Sequence, residues 1–331
     1  MSVLGFTFYS ISAYRTPGQY TATTVIIAPH TGVRQTLAQL HDAGVMPPTL
    51  MTALPVVMSH QYSALKAGEY YFMPGLSPAQ VIGQIVRGDI VIHKVTIPEG
   101  WNAYQVRAAL LGEPLLAGEV PPIIEGSVMP DTMRFTRGEA RAVVLARLQK
   151  EQADYLAKAW EGRAADLPVH SAEEALVLAS VVEKETGVVD ERAMVAGVFI
   201  NRLRAGQLLQ SDPTVVYGIE LLQGGAPMGR PLSKTDLVTD TPYNSYTRPG
   251  LPPTPICNPG KAAIEAALHP AQTDALYFVA TGTGGHHFAA TLADHEKNVA
   301  AYHAVRGDEL VVVPVKPVAV KNVIVRKARK R

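Results

Sequence analysis

Two glutamates stand two residues apart at the end of an apolar run, Leu178-Ala179-Ser180-Val181-Val182-Glu183-Lys184-Glu185. The run reads as a helix. On its 3.6-residue period Glu185 stacks over Val182, Val181 and Leu178, while Glu183 lies over Ser180 and Ala179. A carboxyl group held against an apolar wall resists ionisation and stays protonated near neutral pH. That is the state a general acid needs. The same pattern also allows a solvated carboxylate at a helix end.

Other chemistries find less support. His286 and His287 are neighbours and would face apart on a strand, and no histidine pair has the i, i+4 spacing of a helical metal site. The loop Gly282-Thr283-Gly284-Gly285 lacks the lysine and hydroxyl residue of a phosphate cradle. No glycine-flanked serine elbow is present. The single cysteine, Cys257, excludes an internal disulfide and a multi-cysteine zinc site, and with no histidine nearby it is a poor nucleophile. A formal net charge of +1 gives no general reason to expect nucleic acid. What accompanies the acid is a set of amides, hydroxyls and aromatic rings: Asn201-Arg202, Gln210-Ser211-Asp212, Tyr217, and Tyr243-Asn244-Ser245-Tyr246. Each alone is most simply a turn former or a core tyrosine. Together they suit a carbohydrate groove.

The elements that must hold these residues can be outlined. The acid-bearing helix should start at Ser171, with Glu174 completing a capping box, and Gly187 should break it. Asp190 should cap a second helix with Met194, Val195, Val198, Phe199 and Leu203 on its apolar face, closed at Gly206. Beyond Gly206 the chain is proline-rich and reads as irregular up to a buried strand at 275–280. A last helix is expected through Asp294 to Val305. A turn at Pro130-Asp131 precedes a long charged helix from about Arg137 to Lys158. The first third repeats a strand, a Pro/Gly turn and an amphipathic helix three times, from Val25, Tyr70 and Val95. Ser77-Pro78 and Gly88 mark the ends of the middle helix most clearly. At 331 residues with 47% hydrophobic and 18% charged residues, the chain has ample core for more than one domain. The segment Val3–Tyr14 is apolar and uncharged but too short for a span of about twenty residues. It reads as a short buried segment or as part of a membrane anchor. A basic run from Arg326 closes the chain.

Several spaced motifs carry a family resemblance. They are Leu178 to Thr186, Glu191-Arg192, Val198 to Leu203, Leu209 to Gly218, Tyr243 to Tyr246, Gly250-Leu251-Pro252-Pro253, Leu268-His269-Pro270 and Gly284 to Phe288. Earlier come Leu65 to Tyr70 and Thr96 to Gly100. Over about residues 25–305 the sequence resembles the endolytic murein transglycosylase (YceG-like) family. The resemblance implies an α+β fold, with a LysM-like strand–helix subdomain (21–95) before a mixed catalytic domain (96–308). Residues 1–20 would be a partial membrane anchor and 309–331 a basic extended tail outside the family pattern. It further implies a single-pass inner-membrane protein whose periplasmic part cuts peptidoglycan glycan strands internally, in association with the cell-wall synthesis machinery.

The family's essential glutamate maps to the Glu183–Thr186 segment. Glu185 takes the role through its pairing with Thr186 and its apolar helix face, with Glu183 as the alternative. Glu183, Asn201, Arg202, Gln210, Asp212, Tyr217, Tyr243, Asn244 and Tyr246 are the expected substrate-binding residues. No cofactor or metal enters such chemistry. Two other readings remain open: a muramidase-type hydrolase with Asp212 as second carboxylate, and a non-catalytic peptidoglycan-binding scaffold. Met133 departs from the family pattern, which has an aromatic residue there.

Overall fold

The computed structural model describes residues 3–18, 21–58 and 64–306; the basic tail lies outside them. The chain divides into two compact units. The first holds residues up to Thr96 together with Ala108–Pro121 and Thr132–Arg147, and the second holds Ile97–Arg107, Pro122–Asp131 and the chain from Leu148 onward.

In the first unit, α1 (Val3–Arg15) is followed by β1 (Thr23–Ile27), α2 (Val33–Asp42), α3 (Thr49–Met58), β2 (Gly68–Phe72) and α4 (Pro78–Arg87). Strands β1 and β2 pair antiparallel, with Thr23 opposite Phe72 and Ile27 opposite Gly68. Alternation along them turns Val25, Ile27, Tyr70 and Phe72 inward against Leu37 and Leu40 of α2 and Val81, Ile82 and Ile85 of α4. Helix α4 starts and stops where its sequence signals say. Ser77 and Gln80 exchange side-chain-to-backbone bonds in a capping box, and Gly88 ends the helix at φ 79°. Helix α3, which bears Pro55, was not anticipated. Helix α1 packs on α3 and α4. Among the described residues no helix is long and apolar enough to cross a membrane.

The third strand–helix repeat does not join this sheet. Strand β3 (His93–Thr96) pairs with β4 (Thr132–Phe135), an unanticipated strand, and α5 (Ala103–Gly112) follows β3. The long helix α6 covers Arg141–Glu161.

The second unit is built on α7 (Ala172–Glu185), α8 (Arg192–Arg204), α9 (Asp212–Leu222) and α10 (Lys261–Leu268), with a hairpin of β5 (Tyr277–Ala280) and β6 (His286–Ala289) and a last helix α11 (Leu292–Arg306). Helix α7 packs against α8, α9 and α10. Every residue from Ala175 to Val182 is buried, so α7 is enclosed on all sides and has no solvent face over that stretch. The apolar stripe inferred from its sequence is therefore only part of its buried surface. Ser171 caps it by accepting from the Glu174 N–H, but the Glu174 carboxylate turns to the His170 N–H, so the expected box is not closed. A 3-10 turn at Val189–Glu191 introduces α8, and no side chain caps that helix.

Helix α9 corrects the reading of the proline-rich region as irregular. Pro213 sits in its first turn, where a missing N–H costs nothing. Asn258, fully buried, draws two early segments into this unit. Its backbone and side-chain N–H groups donate to the Trp101 carbonyl at 2.8 and 2.9 Å, and its Oδ1 accepts from the Val128 N–H at 2.9 Å.

Because Leu178 is fully enclosed in the core around α7, Leu178→Ala should leave a cavity there. The expected loss is about 2–5 kcal/mol of unfolding free energy, read from the urea midpoint at unchanged slope.

Candidate active site

The two glutamates at the end of α7 have different fates. Glu183 is fastened. Its Oε1 lies 3.0 Å from the Arg192 guanidinium and its Oε2 accepts the Gly260 N–H at 3.0 Å. The side chains of both members of the ion pair are almost closed to solvent, at 6% and 7% exposure. Gly260 is the N-cap of α10, so Glu183 meets a free backbone donor at the positive end of that helix. A side chain at 260 would collide with the carboxylate of Glu99, which also approaches Arg192 at 3.4 Å. Burial pushes the Glu183 pKa up, against the pull of the Gly260 N–H and Arg192.

Glu185 is not fastened in this way. The residue is half-buried, and its carboxyl is packed round by protein atoms. Burial is the main cause that lifts its pKa to about 7; the Ser211 hydroxyl and Arg202 oppose the shift, and the neighbouring charge of Asp212 adds to it. The result is a carboxyl that holds its proton near neutrality and can give it up.

The groups around it are set by one clamped loop. Gln210 takes a left-handed backbone, φ 48°, and its N–H donates to the Ser245 carbonyl. The Ser211 N–H donates to Ser245 Oγ at 2.9 Å, and Thr214 Oγ1 shares a 2.7 Å bond with the same hydroxyl. These bonds hold Ser211 and Asp212 beside Glu185 at the start of α9. Tyr246 donates to Asp212 Oδ1 at 2.6 Å, and its phenol pKa is raised by burial and by that carboxylate. Arg202 is fixed by bonds to the carbonyls of Leu276 and Leu209, both 2.6 Å, with its guanidinium 5.5 Å from the centre of the Tyr277 ring. A cavity of about 460 Å³ opens here, lined by Glu185, Thr186, Val188, Gly284, His286 and Tyr302 among others. That volume falls in the range of small-ligand sites.

Of the sequence-predicted residues, the structure gathers Glu185, Arg202, Asp212 and Tyr246 into one cluster. Gln210 serves it through its backbone. Asn201 donates to the carbonyls of Thr273 and Ala275, and Asn244, fully buried, to those of Leu237 and Thr239. Both amides hold loops in place. Tyr217 and Tyr243 form an edge-on pair 4.9 Å apart elsewhere in this unit. There Tyr217 donates to Glu125, a further, half-buried glutamate that the sequence did not single out. Glu125 accepts the Ala103 N–H through both oxygens and so covers the start of α5, beside a separate cavity of about 360 Å³. Burial raises its pKa, with the Ala103 N–H and the Tyr217 hydroxyl opposing. Nothing in Ile123-Ile124-Glu125-Gly126 signals this. Glu191 and His286 each stand in a motif that carries the family resemblance, but their separation of 95 residues gives no local sign that they pair.

The profile of the YceG-like family matches residues 25–301. The chain belongs to that family. It is 30% identical over 267 residues to a Bacillus subtilis protein named endolytic murein transglycosylase, covering 71% of this chain and 72% of that one. A Streptococcus pneumoniae protein of the same name is 27% identical over 289 residues, and the match spans about half of its length (51%) and 73% of this chain. In structure the chain resembles a yceG-like protein of Listeria monocytogenes, with a TM-score of 0.51 and 26% identity, over 83% of this chain and 98% of that one. The α+β fold is that of this relative.

The two glutamates should separate in stability measurements. Glu183→Ala leaves the nearly closed Arg192 with only the longer contact to Glu99 and should cost up to about 3–5 kcal/mol. Glu185→Gln should act oppositely. A folded-state pKa near 7 against 4.5 unfolded favours folding below pH 4.5 and withdraws that advantage as pH rises to about 7, a change of roughly 3 kcal/mol. Urea titrations at pH 5 and pH 8 should therefore find that the Gln variant has lost most of this fall; an unchanged fall would mean that Glu185 ionises normally.

Proposed function

We propose that this protein is a lytic transglycosylase that cuts peptidoglycan glycan strands internally, with Glu185 as its acid. The observation that carries the reading is the desolvated Glu185 carboxyl opening on a cavity at the end of a rigid buried helix. The names of the Bacillus and Streptococcus relatives support the same substrate and reaction class.

The protonated Glu185 gives its proton to the β-1,4 bridging oxygen between MurNAc and GlcNAc. The C1–O bond breaks as positive charge builds on the MurNAc ring. The C6 hydroxyl oxygen of the same ring then bonds to C1, and its proton leaves to a base, for which the newly formed Glu185 carboxylate is one candidate. The products are a 1,6-anhydro-MurNAc end and a free GlcNAc hydroxyl, with no water consumed. Asp212, Arg202 and Tyr246 shape the acid's surroundings. A hydrolase would call on Asp212 as its second carboxylate. Against that, Asp212 already accepts the Tyr246 hydroxyl.

In this reading residues 21–95 act as a LysM-like glycan-binding element. The protein works on the periplasmic side of the inner membrane, tethered through its apolar amino-terminal segment.

Purified glycan strands test the reaction. Glu185→Gln should lower cleavage by at least about a hundredfold while leaving strand binding intact. Mass spectrometry of the wild-type products should find anhydro ends; reducing ends would indicate a hydrolase, and wild-type cleavage by the Gln variant would remove Glu185 from the role. Since the acid must be protonated, the rate should fall about tenfold per pH unit above about pH 7.

A further inference from the structure

The cavity that takes in Glu185 is closed on another side by His286, at the start of β6. This histidine is held at two points by one carboxylate. Glu191 accepts the His286 backbone N–H at 2.9 Å through Oε1 and meets the ring Nδ1 at 2.7 Å through Oε2. The arrangement depends on Gly285. At φ 86° the backbone there is left-handed, and a Cβ would stand 2.6 Å from Glu191 Oε1. Burial pushes the Glu191 pKa up, but the bonds to His286 bring it below the ordinary range. Glu191 is therefore an anion and can only accept. The hydrogen between the two sits on Nδ1, so in the neutral ring Nε2 is the nitrogen that carries the lone pair. Phe278 packs edge-on against the imidazole at 5.5 Å and limits its rotation.

A carboxylate behind a histidine fixes the tautomer and stabilises the imidazolium that forms when the far nitrogen takes a proton. Such backing has little use in a histidine that merely fills space. The proposed reaction has one proton that needs an acceptor, that of the C6 hydroxyl. We propose that His286, held by Glu191, takes the C6 hydroxyl proton through Nε2 as O6 bonds to C1, so that acid and base are separate side chains.

The step balances. The proton of Glu185 goes to the leaving GlcNAc oxygen, the C1–O4 bond breaks, the C1–O6 bond forms, and the O6 proton goes to Nε2. Transfer of one proton from the imidazolium to the Glu185 carboxylate, through the cavity or through solvent, restores both groups. The inference rests on the transglycosylase reading and adds a second participant to it.

The test is His286→Asn, whose amide can still donate to Glu191 but offers no imidazole nitrogen to take a proton. Glycan digests are scored by mass spectrometry for the ratio of reducing ends to anhydro ends. With the base removed, ring closure should slow by about a hundredfold, water should capture more of the C1 centre, and the ratio should rise at least tenfold. Should circular dichroism find the Asn variant unfolded, Glu191→Gln carries the test, with the ratio moving in the same direction. A folded variant whose product ratio equals that of the wild type overturns the proposal and returns the second proton to Glu185. His287→Asn, at the exposed neighbouring position, is the control and should leave the ratio unchanged. Failure of the underlying reading would look different: the wild type would give reducing ends only, or Glu185→Gln would still cleave.

Discussion

An uncharged carboxyl kept largely from water at the end of α7 is the constraint on which this second unit turns. Water would stabilise the anion, so the site must exclude it, and loose side chains cannot do that. The exclusion is achieved by enclosing α7 on every side with α8, α9 and α10, leaving Glu185 as the residue where the helix stops and the cavity begins. A close-packed helix has low compressibility and makes a stiff support. The carboxyl is thus presented from a rigid support, as a proton donor must be if it is to meet a glycosidic oxygen within hydrogen-bond reach.

The two glutamates are used in opposite senses. At the start of α10 the free N–H of Gly260 meets an anion, Glu183, which Arg192 also pairs. At the end of α7 Glu185 meets no such donor-and-cation pair, and burial with the nearby Asp212 charge disfavours its own. The same residue type, two positions apart, becomes a tether in one case and an acid in the other. Burial alone does not separate them, since both are largely enclosed and burial lifts the pKa of each. The partners decide: an ion-paired guanidinium and a backbone donor hold Glu183, whereas Glu185 feels the Asp212 charge against the Ser211 hydroxyl and Arg202.

This is where the sequence was informative and where it was not. The helix ending at Glu185, its Ser171 cap, the strand–helix units around β1 and β2 and the hairpin loop at Gly282–Gly285 follow from periodicity and local turn chemistry. The preference for Glu185 over Glu183 rested partly on its lying over an apolar face, yet Ser180 and Ala179 beneath Glu183 are as deeply buried as Leu178. Helix α9 is hidden in the sequence because clustered prolines signal irregular chain, whereas a proline at a helix start is compatible with the helix. Strand β4 and the pairing of β3 with it are set by a partner over thirty residues away, which a local pattern does not carry. Glu125 and the Glu191–His286 pair escaped for the same reason. Each gains its character from residues far along the chain, such as Tyr217 for the first and the β5–β6 hairpin for the second.

Reactivity and stability are opposed at this site. Above neutral pH the Glu185 anion must exist in surroundings built for the neutral acid, and the fold bears that cost. Gln210 adds a left-handed backbone in a residue that is not glycine, a conformation that costs on the order of 1 kcal/mol or more and persists only where its neighbours enforce it. The enforcement is visible in Ser245, which receives the Gln210 N–H and the Ser211 N–H and shares a hydrogen bond with the Thr214 hydroxyl within one short stretch. Relaxing that loop would relieve the backbone, but it would also release Ser211 and Asp212 from the places where they tune the acid. Asp212 raises the pKa of Glu185 and the Ser211 hydroxyl lowers it, so the balance near neutrality depends on both being held. The strained loop and the high-energy carboxyl are one arrangement: the protein gives up stability at Gln210 to fix the field in which Glu185 keeps its proton.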